Sequence, residues 1–185
     1  MKWKTAVTTI AALTSLAGSA FALPARDVLG RLVPSGGGRP SVVLYVNRDT
    51  KDQLKRTALP MAFALRKQNP RVVVHVDLSD VPGMFKGMAR AQIQKGQRDA
   101  VAAMQSMYRQ HGLRPPHNLS SSVYMVADSD GRPHRAVGLQ EHFKQPYAQA
   151  LGKHGEPLTS GTLPSAVSAL ERAIEKQGSK ARSRS

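Results

Sequence analysis

The sequence predicts an α/β fold in which parallel strands alternate with helices. Residues 41–46 (SVVLYV) and 71–78 (RVVVHVDL) are nearly unbroken apolar, β-branched runs, the pattern of strands buried on both faces. Residues 50–68 between them have the features of a helix. Because a strand, a helix and a second strand of this length form a βαβ unit, we expect two parallel neighbours joined by a right-handed crossover.

Local signals set the limits of this first helix. The Thr50-x-x-Gln53 pattern is typical of a capping box and predicts that the helix begins there. Pro60 lies inside the helix, where its missing amide and the clash of its ring with the preceding turn predict a kink. Asn69 is followed by a proline, which predicts the end of the helix.

The remaining chain predicts further helices and strands of the same domain. Two helices should be separated near the Lys95-Gly96 pair, and a third strand should precede a hairpin turn and its returning strand. The C-terminal helix has apolar Val167, Leu170 and Ile174 at helical spacing. In chain order, the predicted elements are helices 84–94 and 97–111, strand 122–127, turn 128–131, strand 133–138, and helices 141–151 and 163–177.

The two ends of the chain differ in composition from the rest. Residues 1–22 have a basic start, a diluted apolar stretch and an Ala-Phe-Ala ending, which predict a secretory signal peptide cleaved after Ala22. Residues 23–177 predict one domain, and residues 178–185, which are basic and contain no acid, predict a disordered tail. We therefore expect a periplasmic or secreted protein with no membrane-spanning segment after cleavage.

The chain carries a large excess of positive charge. Lys and Arg number 27 against 12 Asp and Glu, giving a formal net charge of +15 at pH 7. A field of this size attracts polyanions such as anionic lipids and wall polymers. Nucleic acid is disfavoured, because the basic residues are scattered and the few aromatic residues provide no stacking platform. In an exported protein, we expect the partner to be an envelope protein or an anionic envelope polymer.

Three stretches of the sequence carry a family resemblance. GRPSVVLYV (38–46) resembles the beginning of the first core strand in redoxins, the thioredoxin-like and peroxiredoxin-like exported proteins. VYMVADSDGRPHRAVG (123–138) is similar to their terminal hairpin, and LPARDVLGR (23–31) is similar to their lead-in. The resemblance implies a thioredoxin-like three-layer fold, whose central mixed sheet of about four to five strands is flanked by helices.

The chain departs from that family at the redox centre and resembles a degenerate, cysteine-less member. It contains no cysteine. Matching the strands places the family's two cysteines at Thr50 and Gln53, whereas counting back from the helix proline places them at Asp52 and Lys55. The family's cis-proline, opposite the cysteines, falls near Ser122. Thiol–disulfide exchange and thiol peroxidase chemistry need a cysteine sulfur, so the composition excludes both.

Polar side chains follow the first two predicted strands, at the edge where α/β proteins usually bind ligands. We expect a ligand-facing corner there, because the carboxyl ends of parallel neighbours share one edge. Its predicted residues are Asn47, Arg48, Asp49, Thr50, Asp77, Asp80 and Ser122. Asp49 with Asp77 or Asp80 offers the oxygen donors that Mg²⁺ or Ca²⁺ prefers. The alternative is that Asp49 or Thr50 caps a helix and Asp80 forms a turn.

Methionines at helical spacing indicate a second candidate site. Met84 and Met88 are four residues apart, Met104 and Met107 are three apart, and His111 follows four residues later. Each set therefore lies on one helix face. Thioether and imidazole donors suit Cu(I), and copper is the cofactor that this pattern suggests. The alternative is core packing, since methionine fills irregular gaps.

The motifs that would identify an enzyme are missing. The chain has neither an H-E-x-x-H zinc motif nor a G-x-S-x-G nucleophile motif, and His75 alternates with valines as a half-buried sheet residue does. The sequence therefore predicts an exported, non-redox protein that acts as a binding or assembly module in the cell envelope. The alternative is an envelope protein that handles copper through its Met and His side chains.

Overall fold

A computed structural model describes residues 25–34, 36–140 and 142–182. The predicted signal peptide, residues 1–22, lies outside these ranges. Within them, none of the helices combines the length and the apolar character needed to cross a membrane.

One mixed sheet organises the molecule. Its strands are β1 Ser41–Val46, β2 Arg71–Asp77, β3 Val123–Asp128, β4 Tyr147–Leu151 and β5 Pro157–Thr162, and the helices are α1 Lys51–Ala64, α2 Lys86–Gln110, α3 Arg132–Ala136 and α4 Val167–Arg182. The strand order is β3-β2-β1-β4-β5. The first three strands are parallel, β4 is antiparallel to β1, and β5 is antiparallel to β4. The predicted α/β fold, with a mixed sheet flanked by helices, is confirmed.

The handedness of the crossovers places α1 and α2 on the same face of the sheet. The chain moves from β1 to β2 and then on to β3 in one direction, and two right-handed crossovers in one direction lie on one face. Met61 of α1 and Leu170 and Ile174 of α4 pack on this face against β1 residues such as Leu44, so α4 joins the same layer.

The opposite face of the sheet is covered by less regular structure. Val43, Tyr45 and Tyr124 form a second core there, packed against residues of the N-terminal segment such as Val33. Asp27 connects this segment to α2, because its carboxylate accepts hydrogen bonds from Arg31 and from Gln97 of α2. Burial opposes ionisation of Asp27, but these hydrogen bonds outweigh it and lower the pKa of the carboxyl.

Two predictions about helix boundaries are corrected. The capping box lies one turn earlier than predicted, between Asn47 and Thr50, and it opens a short 3-10 turn before α1. The pair Lys95-Gly96 does not divide two helices, because α2 is continuous over 25 residues. A single glycine costs only about 1 kcal/mol in a helix. The residue after Gly96 is held in place, because the Gln97 side chain donates hydrogen bonds to Asp27 and to the Val123 carbonyl.

The predicted hairpin after β3 is wrong. Asp128 Oδ1 accepts a hydrogen bond from the Gly131 amide, and Gly131 has a positive φ of 67°. This turn leads into α3, whose first turn contains Pro133, and proline is favoured at the start of a helix. Residues 133–138 therefore form a short helix and a turn instead of a returning strand.

The predicted helix at residues 141–151 is also wrong, because this region contains β4. Ala148 and Ala150 are fully buried against the α1 and α4 layer, and β4 pairs on one side with β1 and on the other with β5, a strand absent from the sequence prediction. Tertiary pairing overrides the weak helix preference of these residues. Helix α4 begins at Val167 and continues to Arg182, into the segment predicted to be a tail.

Candidate functional site

The polar corner after β1 is chiefly a helix cap. Asn47 Oδ1 accepts hydrogen bonds from the amides of Asp49 and Thr50 at 3.1 and 3.0 Å, and Thr50 Oγ1 accepts one from the Asn47 amide at 3.0 Å. Asn47 also donates to the Phe143 carbonyl at 2.9 Å. Asn47 and Thr50 are buried, so only Arg48 and Asp49 reach solvent, and Asp49 faces Lys144 at 3.4 Å.

Asp77 ends β2 and Asp80 follows it at the same edge of the sheet, but Ser122 does not lie there. Ser122 precedes β3, whose first residue pairs with Val72 near the beginning of β2, so it lies at the opposite edge. Its hydroxyl donates to the Asn118 carbonyl and accepts from Arg39. This corrects the predicted position of Ser122. The antiparallel neighbour of β1 is β4 rather than β3, and Pro146 precedes β4.

A buried cluster at the carboxyl edge joins β2, β3 and α3. Asp77, Asp128 and His134 each offer one ligand atom, and these atoms lie within 4.8 Å of one another. His134 Nδ1 is 2.9 Å from Asp128 Oδ2, and its Nε2 is 3.2 Å from the Val46 carbonyl oxygen. Two carboxylates and an imidazole are donors that a divalent metal accepts. Both nitrogens of His134 face oxygen atoms of the protein, however, so these contacts connect α3 to β3 and to β1.

An aromatic stack connects this cluster to the centre of the sheet. The Tyr45 ring stacks on His75, with centroids 5.4 Å apart, and meets His134 edge-on at 5.5 Å. His75 is buried, and its Nδ1 has no hydrogen-bond partner among the described residues. Burial, and then the nearby His134, lower the pKa of His75 to about 4, although Asp128 opposes the shift. His75 is therefore neutral at pH 7.

A groove lies between α1 and α2, above β2 and β3; we call it the α1–α2 groove. Its volume is about 1140 Å³. Val72, Val76 and Met125 on its floor are only half-buried, although β2 lies inside the sheet. Small side chains form much of its walls, including Ala58 of α1 and Ala100 of α2. An interior strand thus presents apolar surface to solvent, which commonly marks a binding site.

The groove is closed at one end and open at the other. Phe63 of α1 packs against Met104 and Tyr108 of α2 at the closed end, with the Phe63 and Tyr108 rings 5.3 Å apart. Toward the open end, α2 has no buried residue from Lys86 to Gly96. Both helices begin at the carboxyl edge of the parallel strands, so the open end lies at the predicted corner.

Charged side chains lie mostly along the two edges of the groove, which we call the α1 lip and the α2 lip after the helices that form them. Arg48, Lys51 and Lys55 are exposed on the α1 side. The α2 side has Lys95 and Asp99, and Asp80 lies at the open end. The predicted corner residues that line the groove are Asn47, Arg48, Asp77 and Asp80.

The predicted methionine sites lie at opposite ends of α2. Met84 and Met88 are 85% and 64% exposed at the open end of the groove. Met104 and Met107 belong to the core cluster at the closed end. The His111 ring contacts the Phe63 ring at a tilt, and its Nδ1 is 2.8 Å from the Met107 carbonyl oxygen. Met88 and Met104 are about 24 Å apart along the helix, from a rise of about 1.5 Å per residue. The structure does not unite the two sets, and copper binding at either stays a prediction.

Sequence reasoning missed Asp128, His134 and the groove. The sequence pattern places Asp128 in a hairpin turn and His134 in its returning strand, so no spacing rule connects them. The groove depends on how far α1 and α2 separate, which no local pattern encodes. The small residues facing each other across it, such as Ala58 and Ala100, were the available signal.

Comparisons with known proteins agree on the fold. No family model and no curated protein matches the chain. Among solved structures, a thiol:disulfide interchange protein of the thioredoxin family from Chlorobium tepidum has a TM-score of 0.50 at 9% identity, covering 82% of this chain and 90% of its own.

Two further matches have lower TM-scores. A secreted Mycobacterium tuberculosis disulfide oxidoreductase has a TM-score of 0.44 at 15% identity and covers 82% and 93% of the two chains. BsSco, a member of the Sco family of cytochrome c oxidase assembly proteins, has 0.45 at 11%, covering 81% and 89%. At 9% identity, the match to the Chlorobium tepidum protein shows the fold alone.

Proposed function

We propose that this cysteine-free protein of thioredoxin-like fold is an exported, non-redox binding module of the cell envelope, and that the α1–α2 groove is its binding site. The half-buried Val72, Val76 and Met125 on the groove floor carry this proposal. Leaving apolar surface of an interior strand in contact with water costs roughly 25 cal/mol per Å². A ligand that covers the floor recovers that free energy.

The light packing of α2 supports a binding role. Of its 25 residues, only Gln97, Met104 and Tyr108 are buried. Helix stability in proteins comes mostly from packing of an apolar face. The half of α2 that borders the open groove lacks such packing, and a ligand seated against Ala89 and Ile93 would supply it.

Filling the groove tests this function. Ala100 lines the groove, whereas Ala102 is exposed on the same helix and does not line it. We expect the wild-type protein to bind the apolar dye Nile red, and Ala100→Phe to weaken that binding about tenfold. Ala102→Phe is the matched control and should bind as wild type does. Fluorescence titration measures the affinity, and thermal unfolding checks that both variants are folded.

The opposite result would refute the groove as the binding site. Equal affinity of Ala100→Phe and Ala102→Phe for the dye means that the dye binds elsewhere, and loss of binding in both variants points to damage of α2 as a whole. Only the first outcome refutes the groove as the binding site, because damage to α2 would also disrupt a groove that this helix lines.

A further inference from the structure

The chemistry of the groove interior selects a ligand without backbone polar groups. Apart from the polar and charged groups along its edges, the groove is lined mostly by alkyl side chains, and the backbone groups of β2 are already paired with β1 and β3 on its two sides. An extended peptide lying on this floor would leave its N–H and C=O groups unpaired, which is costly in an apolar site. An acyl chain has no such groups.

The shape of the groove disfavours a helical peptide. A helix satisfies its own hydrogen bonds, but with side chains it is about 10–12 Å across. The α1–α2 groove narrows to the direct contact of Phe63 with Met104 and Tyr108. A thin chain reaches this closed end, whereas a helix stops short of it and leaves the inner floor uncovered.

The α1 lip supplies charge for an anionic head. Arg48, Lys51 and Lys55 lie along one side of the groove, and none of them has a carboxylate within ion-pair distance in the described ranges. The acids that line the groove at its exposed rim are Asp80, which follows β2, and Asp99 of α2, and neither forms an ion pair with these three cations. A carboxylate or phosphate at the α1 lip therefore meets uncompensated positive charge.

Apolar surface continues outward from the open end. Met84, Phe85 and Met88 are 85%, 50% and 64% exposed, and Phe85 and Met88 also line the groove. Lys86 lies between Phe85 and Met88 in the sequence, and Arg90 follows Met88. Apolar side chains among cations are suited to contact an anionic lipid surface, so a lipid chain would pass from that surface into the groove without crossing water.

We propose that the ligand of the α1–α2 groove is a single-chain anionic lipid, with its acyl chain on the valine floor and its head at Arg48, Lys51 and Lys55. This inference rests on the proposed function, because it names the ligand class of the same groove. The volume of about 1140 Å³ exceeds the roughly 300–1,000 Å³ of ordinary small-ligand pockets, which leaves room for a long chain.

A pair of probes that differ only in charge tests the inference. Dansyl-labelled undecanoic acid and its methyl ester share the same apolar body, and dansyl fluorescence reports binding of each to the full folded domain. We expect the acid to bind about tenfold more tightly than the ester. The double substitution Lys51→Gln with Lys55→Gln should reduce this preference, because only Arg48 then remains of the three cations. Arg56→Gln with Lys67→Gln removes the same charge from exposed positions outside the groove and should keep the preference.

The outcomes separate this inference from the proposed function. Equal binding of acid and ester, with both weakened by Ala100→Phe, overturns the anionic head and keeps the groove. Binding of neither probe at the groove, judged by identical titrations of wild type and Ala100→Phe, overturns both. An amphipathic helical peptide that displaces the acid at lower concentration than unlabelled dodecanoate overturns the lipid assignment in favour of a protein partner.

Discussion

The surroundings of His75 strongly change its acid–base behaviour. Its ring is enclosed by Tyr45 and by the β-sheet, so protonation would bury a charge close to His134. The fully buried Tyr45 responds in the opposite direction, because burial and then the neighbouring Tyr147 raise the pKa of its hydroxyl. Both shifts favour the neutral form of these two side chains.

The pKa of His75 predicts how stability depends on pH. The folded value of about 4 lies below the ordinary 6.5, so the unfolded chain binds the proton first. Stability should be fully present above about pH 6.5 and decrease toward pH 4, by up to roughly 3 kcal/mol from this group. Urea unfolding at several pH values measures the slope. His75→Phe keeps the stacking on Tyr45 and should flatten that slope; an unchanged slope would assign the acid sensitivity to other groups.

The corner after β1 was predictable at the level of residue type but not of role. Asn, Asp and Thr after a strand indicate a cap, and Asn47 and Thr50 form one. The sequence could not show that the cap uses both side chains, since this depends on the exact start of the helix. Nor could it show that Arg48 turns to the groove, because the groove is made by a helix nearly forty residues away.

Helix α2 is the element whose continuity the sequence misjudged, and Gly96 gives a direct test. A methyl group at Gly96 would lie 3.9 Å from Met125 Sδ, an ordinary van der Waals contact. Gly96→Ala should therefore stabilise the protein by about 0.5–1 kcal/mol, through lower backbone entropy in the unfolded chain. The reciprocal change Ala91→Gly, at an exposed position of the same helix, should cost a similar amount. Destabilisation by Gly96→Ala in chemical unfolding would instead favour two separate helices.

The elements predicted correctly were those specified by local patterns. β1 and β2 are long β-branched runs, and Asn69 with the following proline ends the helical segment between them. The errors occurred where a partner decides the outcome. β4 has alanines at 148 and 150 that would suit a helix, but pairing with β1 and β5 makes it a strand. The turn after β3 became α3 because His134 bonds to Asp128 and Val46, a contact invisible from spacing.

At the scale of the whole molecule, the excess of positive charge should govern association with anionic surfaces. The net charge of +15 includes Lys2 and Lys4 of the predicted signal peptide, and the rest lies in the remainder of the chain. Binding to phosphatidylglycerol vesicles, measured by co-sedimentation, should weaken steeply as salt rises from about 0.05 to about 0.5 M, because the screening length shortens. Neutral phosphatidylcholine vesicles are the control. Salt-insensitive binding would show that the protein's field does not drive the contact.

The tapering shape of the α1–α2 groove gives the protein a way to sort molecules by thickness. The walls meet at Phe63 and Tyr108, and Lys51 and Met88 line the groove toward its open end. How deep a molecule sits is then fixed by its cross-section: an unbranched chain slides to the narrow end, while a ring or a branched chain halts near the mouth. Depth in turn decides whether the polar end of that molecule stops level with the lysines or beyond them, so a difference in width becomes a difference in affinity.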